Sequence, residues 1–228
     1  MPRTIDSEIG SRTLTIDDTV DNFEAGTSAL PNGDFGVKTT ASPNTYSFMR
    51  DRANNGDAYK FVPGQARTIN FWYKGGAQNA SFILGVGTQD SSSVAGSAMN
   101  WMMYTGGNAL YFGVVRESNV VQNLYYGLGN TTAWEMHTYV WNPAAGSVGT
   151  VSVYFNGALA GTVSLSAAIQ DRSAAACEFS FGARGNYSLS SVSPTAAVAG
   201  TMELAKLAVF DSVLSALDVS DLYISMNA

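Results

Sequence analysis

Apolar and polar residues alternate in short runs through most of this chain. Val151-Ser152-Val153-Tyr154-Phe155 is followed by Asn156-Gly157 and then by Ala158–Leu165. A period of two puts successive side chains on opposite faces of a strand, so such runs predict strands. Asn-Gly between two of them predicts a hairpin, because a type I′ turn needs positive φ at both central residues. Thr68–Lys74 predicts another strand, ended by Gly75-Gly76, and Phe82-Ile83-Leu84 the next. Met99–Tyr104 and Ala109–Val115, joined by Thr105-Gly106-Gly107-Asn108, predict a second hairpin. Strands follow at 120–127 and 134–141, then at Phe179–Phe181 and Leu204–Phe210. Tyr46, Phe48, Tyr59 and Phe61 alternate with polar neighbours on either side of the turn Asn54-Asn55-Gly56-Asp57 and add strand signals. Residues 88–98 and 188–199 read as long loops at the rim.

The period changes to that of a helix only near the end. Ser215 stands three residues before Asp218, a capping-box spacing, and Leu217, Val219, Leu222 and Tyr223 then form an apolar stripe. So short a helix is expected to pack against a sheet edge. Residues 1–34 are the least regular part, an N-terminal arm or edge segment ahead of a sandwich over 35–228. There Leu14 and Ile16 alternate with Thr13, Thr15 and Asp17, an acidic stretch runs through Asp17, Asp18, Asp21 and Glu24, and Pro31-Asn32-Gly33 makes a turn. The fold class that follows is all-β: a two-sheet antiparallel jelly-roll sandwich with one short C-terminal helix.

Composition agrees and narrows the function. Of 228 residues, 46% are hydrophobic and only 13% charged, with 23 glycines, which suits many short strands joined by turns. The net charge of −6, with no Lys/Arg cluster, disfavours a nucleic-acid partner. Cys177 is the single cysteine, so no internal disulfide forms, and it reads as a small buried apolar residue. No apolar run is long enough to span a bilayer. The opening Met1-Pro2-Arg3-Thr4-Ile5-Asp6 is polar, which leads to the expectation of a chain made in the cytoplasm.

Several segments, in order, resemble the laminin G-like, concanavalin A-like jelly-roll family of lectins and glucanases. Thr68–Lys74 is similar to that family's "TISAWVK" strand, Trp134–Trp141 to "WHHVAVTY", and Val153–Gly157 to "LYVDG". Phe179–Gly182 resembles "LRIG", and Leu204–Leu217 resembles "IDEVRIYNRALSAEE". The match covers roughly residues 57–223. The chain departs from the pattern where the family carries carboxylates that support calcium or local structure. Ala205 and Lys206 replace the acidic pair, and Asn156 replaces the Asp of "VDG". The resemblance therefore implies the fold while putting a family-type calcium site in doubt.

The family includes glycoside hydrolases, whose chemistry needs two carboxylates flanking the scissile bond. Their usual string, E-x-D-x-x-E on one strand, is missing, and Glu117, Glu135, Glu178 and Glu203 are each isolated. The expectation is a protein that is not an enzyme. His137 is the only histidine and reads as a residue bonded within its sheet. No organic cofactor is called for, and the oxygen ligands clustered at Asp17, Asp18 and Asp21 could take calcium or form a solvated acidic loop.

Aromatic residues carry the functional expectation. Trp101, Tyr104, Tyr111, Tyr125, Tyr126 and Trp141 crowd the middle third of the chain. Exposed rings can stack on sugar rings, and tyrosine adds a polar tip. These six are the candidate ligand-binding residues. The expected function is lectin-like binding by an exposed phage virion component, a head decoration or appendage. It would contact glycans or surface receptors and neighbouring virion proteins, within an assembly or homo-oligomer. The alternatives are a carbohydrate-binding module of a larger secreted protein and a purely architectural protein.

Overall fold

A computed structural model of the chain describes residues 3–6, 13–16, 23–39, 49–50, 59–75, 82–88, 99–106, 109–117, 120–128, 131–146, 148–172, 177–181, 184–188, 191–196 and 202–227. Eight described strands form one sheet, in the order β1 (Arg3–Asp6), β2 (Thr13–Ile16), β5 (Met49–Arg50), β14 (Cys177–Phe181), β7 (Phe82–Thr88), β8 (Met99–Gly106), β9 (Ala109–Arg116), β10 (Val120–Leu128). Seven form the second, in the order β13 (Ala158–Ser164), β12 (Thr150–Phe155), β11 (Thr131–Asn142), β6 (Arg67–Gly75), β17 (Met202–Phe210), β4 (Phe35–Thr39), β3 (Phe23–Ala29). Neighbours within each sheet run antiparallel. The chain is thus an all-β, two-sheet antiparallel sandwich, with one helix among the described residues, α1 (Ala216–Asn227).

Alternation on each strand builds the core. Phe71, Tyr139 and Val153 from the second sheet meet Met103, Phe112 and Val114 from the first, all essentially inaccessible. Tyr139 stacks on Phe112 with centroids 3.9 Å apart. Phe61 sits among Trp101, Phe112 and Trp141, each ring centroid 6.1–6.2 Å away. The strand expected around Tyr59 and Phe61 is not one. The Asn100 side chain accepts from the Phe61 N–H at 2.6 Å and donates to its carbonyl at 2.9 Å, doing the work of a strand neighbour. Tyr46, Phe48 and the turn 54–57 lie outside the described residues.

The Asn156-Gly157 hairpin is as expected, with φ of 49° and 79°. Asn156 also donates its N–H to Met136 O at 2.9 Å and accepts from Met136 N at 2.8 Å, which pins the turn to β11. The helix begins with the expected box: Ser215 Oγ accepts from Asp218 N at 3.2 Å, and Asp218 accepts from Ser215 N at 2.8 Å. It reaches the edge strand β13, as expected, and also covers the outer face of the second sheet. Val219, Leu222, Tyr223 and Met226 pack over Trp72, Met136 and Tyr154, while Leu217 from the expected stripe is 69% exposed. Trp72 stacks on Tyr223 at 5.8 Å, and its indole N–H points to Met226 Sδ at 2.9 Å.

Two segments of weak pattern form strands. Of residues 1–34, β1 and β2 join the first sheet through β5, and β3 joins the second through β4. The stretch 188–199, expected to be a loop, holds one strand of a two-stranded ribbon, β15 (Arg184–Ser188) with β16 (Ser191–Ala196). Residues 89–98 lie outside the described residues. No helix among the described residues is long and apolar enough to cross a membrane.

Candidate functional site

With α1 covering the second sheet, the outer face of β8–β10 is the place to look for a ligand surface. The β8–β9 register pairs Trp101 with Val114, Met102 with Gly113, Met103 with Phe112 and Tyr104 with Tyr111. Trp101, Met103, Phe112 and Val114 belong to the inter-sheet core, so alternation sends Met102, Tyr104, Tyr111 and Val115 to the opposite face. There Tyr104 and Tyr111 stack with centroids 5.1 Å apart and planes 13° from parallel. Both are half-buried. Met102 and Val115 make a small apolar floor beside them, packed against Val121.

β10 completes the face. Asn123 stands opposite Gly113, with its side-chain amide beside the Tyr104 hydroxyl. Burial pushes the Tyr104 phenol above its ordinary value, the Tyr111 phenol adds to this, and the Asn123 side chain opposes it. Gly113 keeps the space open: a Cβ there would lie 2.9 Å from Val121 Cγ1 and 3.1 Å from Asn123 Oδ1. The register sets Tyr125 opposite Tyr111, which sets three tyrosine positions in a row across β8, β9 and β10.

Of the six aromatic residues expected from the sequence, Tyr104 and Tyr111 meet on this face. Tyr125 shares their register row, and its side chain, like that of Tyr126, lies outside the described residues. Trp101 and Trp141 require correction. They are 0% and 1% exposed, and their indole N–H groups donate to Tyr59 O at 2.8 Å and Val62 O at 3.2 Å. A ring that is sealed and already bonded offers no face to a ligand. Asn123 and Gly113 were not singled out from the sequence. The signal was there, since Asn123 lies two residues before Tyr125 on the same strand, but only the register between strands puts it under Tyr104.

The remaining polar candidates serve the interior. Glu203 is buried and pairs with Lys74 at 3.7 Å, and Glu135 approaches His137 Nε2 at 3.5 Å. Lys206, in place of the family's carboxylate, reaches Asp34 at 2.6 Å. A cation already paired there does not suit a bound dication. Among the described residues no three His, Cys, Asp or Glu side chains gather to hold a metal, and Asp17, Asp18 and Asp21 lie outside them.

No protein-family model and no curated protein matches this sequence. Solved structures do. The receptor-binding domain of botulinum neurotoxin type G matches with a TM-score of 0.62 at 14% identity, over 96% of this chain and 50% of that one. The binding domain of Paraclostridial Mosquitocidal Protein 1 matches with a TM-score of 0.63 at 11% identity, over 94% and 48%. The binding domain of botulinum neurotoxin DC in complex with SialylT matches at 0.58 and 17%, over 93% and 48%. The chain shares the fold of one half of these binding domains.

Proposed function

We propose that this protein is a non-catalytic, lectin-like binding module that meets a glycan or glycosylated receptor with the outer face of β8–β10. The observation that carries the reading is the half-buried Tyr104–Tyr111 stack with the Asn123 amide beside it. The ring edges and hydroxyls of the pair offer apolar and polar contacts to a sugar, and the amide offers both a donor and an acceptor to its hydroxyls. The fold shared with toxin binding domains supports a binding role, and the ordered segments similar to laminin G-like domains support assignment to that jelly-roll class. The setting proposed is a virion surface, suggested by the thiol-poor, weakly charged composition. A second setting has its own support: the matched structures are about twice as long as this chain, so a module of a larger secreted binding protein is the alternative.

A glycan array followed by titration calorimetry tests the function. Wild-type protein is expected to bind, and Tyr111→Ala is expected to weaken binding about tenfold, the value of one stacking contact. Leu217→Ala, on the exposed side of α1, is expected to leave it unchanged. Binding that ignores Tyr111→Ala would move the site elsewhere. Release of reducing ends from laminarin, agar or mixed-linkage glucan would overturn the non-catalytic part.

A further inference from the structure

We infer that β13 is the contact strand of a homodimer. Two copies pair their β13 edges antiparallel about a two-fold axis, with Leu159 and Ile224 flanking the contact. This surface is distinct from the ligand face proposed above. Two independent observations carry it.

The first is the direction of the β13 backbone. β13 ends the second sheet, and among the described residues no strand lies beyond it. Ser152 on β12 stands opposite Thr162, and their hydroxyls lie 2.8 Å apart. That closeness marks a non-hydrogen-bonded pair, in which each residue turns its N–H and C=O away from the other strand. Alternation makes Ser164 the next outward residue, and its carbonyl is met from outside the sheet by Gln122 Nε2 at 3.2 Å. Thr162 is exposed and turns its outward groups to solvent. Edges are commonly blunted by charged side chains or proline, and Ala158–Ser164 has neither. A bulge next to Leu159 confines pairing to the part of β13 around Thr162. Leu159 stands opposite Tyr154, on the face that α1 packs, and is 55% exposed. Ile224 of α1 is 60% exposed and follows Tyr223, which crosses the hairpin so closely that a Cβ on Gly157 would lie 2.9 Å from its Cβ. Leu159 and Ile224 thus put apolar surface beside the open edge.

The second is charge. The chain carries a net −6, so copies of it repel at long range. From Ser118 to Gln170, however, the sequence holds one Asp, Glu, Lys or Arg, namely Glu135. That stretch supplies β10 to β13, and so one edge strand of each sheet. Glu135 itself lies on β11, two strands in from the β13 edge, beside His137. Acidic copies can therefore approach along β13 at little electrostatic cost. Antiparallel pairing about a two-fold axis needs no complementary charge, because each strand supplies the same donors and acceptors. It also uses both edges at once, so assembly closes at two copies.

Sedimentation analysis of the full chain over a range of concentrations tests this, with amide hydrogen exchange by NMR beside it. A monomer–dimer equilibrium is expected, and it should tighten as salt is raised, because screening weakens the repulsion between acidic copies. The Thr162 amide should exchange more slowly as the dimer forms, while the Val163 amide, turned toward β12, should not respond. That readout uses the wild-type protein and does not depend on a variant's folding. Leu159→Lys is expected to weaken the dimer at least about tenfold by setting like charges on the shared edge. The side chain is exposed, so the melting temperature should hold. Leu217→Lys, also exposed but at the far end of α1, should leave the dimer unchanged. A monomer at every concentration would overturn the inference, and so would a dimer that survives Leu159→Lys or loosens with salt. Species larger than two copies would overturn the two-fold closure. A Thr162 amide that slows only when an unrelated extended peptide is added would assign the edge to a foreign strand and overturn self-pairing.

Discussion

His137 lies face to face with Phe71 across the β11–β6 ladder, ring centroids 5.5 Å apart and planes 5° from parallel. Phe155 meets it edge-on from β12 at 4.9 Å, and Tyr73 does the same from β6 at 6.0 Å. The imidazole is fully buried, and neither ring nitrogen has a hydrogen-bond partner. The charged group facing it is Glu135, whose carboxylate stands 3.5 Å from Nε2 without bonding alignment. Burial holds His137 below the ordinary imidazole value of 6.5, and Glu135 opposes that shift without cancelling it.

Stability should therefore fall on mild acidification. Above pH 6.5 the imidazole is neutral in both folded and unfolded chains and contributes no pH dependence. Below it the unfolded chain takes up the proton and the folded chain resists. Stability then declines by up to about 1.4 kcal/mol per pH unit until the lowered folded value is reached. His137 is the only histidine, so the slope belongs to one group. Urea denaturation from about pH 8 to about pH 5.5 should show it, and His137→Phe should abolish it while matching or exceeding wild-type stability. An unchanged slope in His137→Phe would assign the effect elsewhere.

Asn156 unites two roles that different substitutions separate. Its φ of 49° suits a residue without Cβ strain, and its Oδ1 accepts from Met136 N at 2.8 Å. Asn156→Gly should lose only the side-chain bond, about 1 kcal/mol, whereas Asn156→Ala should lose the bond and strain the turn, about 2 kcal/mol in all. Chemical denaturation of the two variants checks the ordering. Equal losses would mean that the turn geometry contributes nothing.

The elements that were legible in the sequence share one property: their signal is local. The Asn156-Gly157 turn, the Ser215–Asp218 box and the Thr68–Lys74 strand each depend on residues close in the chain. Phe61 shows where that ends. Its alternation with Tyr59 correctly marks both as buried, but its backbone partner is Asn100, 39 residues away. The candidate site divides in the same way. Six aromatics were visible as a group, yet which face each one takes depends on register, and Trp101 and Tyr104, three residues apart, point to opposite sides of one sheet. Leu217 failed for a related reason. Val219, Leu222 and Tyr223 of the expected stripe do pack with Trp72, and Met226, one turn on, completes the face in place of Leu217.

Deleting residues 1–12 tests what the N-terminal segment does. It removes β1, which pairs with β2 from Arg3↔Ile16 to Asp6↔Thr13, and turns β2 into the sheet's edge. If the segment is part of the sandwich, the melting temperature should fall by about 2–4 °C for each kcal/mol of lost pairing and packing. If it is a tether, the melting temperature should stay while assembly with a partner chain is lost.

Gly113→Ala tests the candidate site without touching either tyrosine. The new methyl would meet Val121 Cγ1 at 2.9 Å and Asn123 Oδ1 at 3.1 Å. Val121 is stiff at χ1, so β10 itself must shift to relieve that contact, and Asn123 moves with it. The Asn123 side chain holds the Tyr104 phenol down against burial and the neighbouring Tyr111, so its displacement should let the phenol rise further. Overpacking of this kind should also cost about 1–2 kcal/mol of stability. The Tyr104–Tyr111 stack should persist, because the β8–β9 register does not pass through Asn123. Tyrosinate absorbance followed through an alkaline titration should therefore show one phenol moving upward relative to wild type. Oligosaccharide binding should weaken without disappearing, since the rings remain while the amide is misplaced. A variant whose phenol titration and binding both match wild type would show that Asn123 is a bystander, and the face would then have to recognise its ligand through the tyrosines alone.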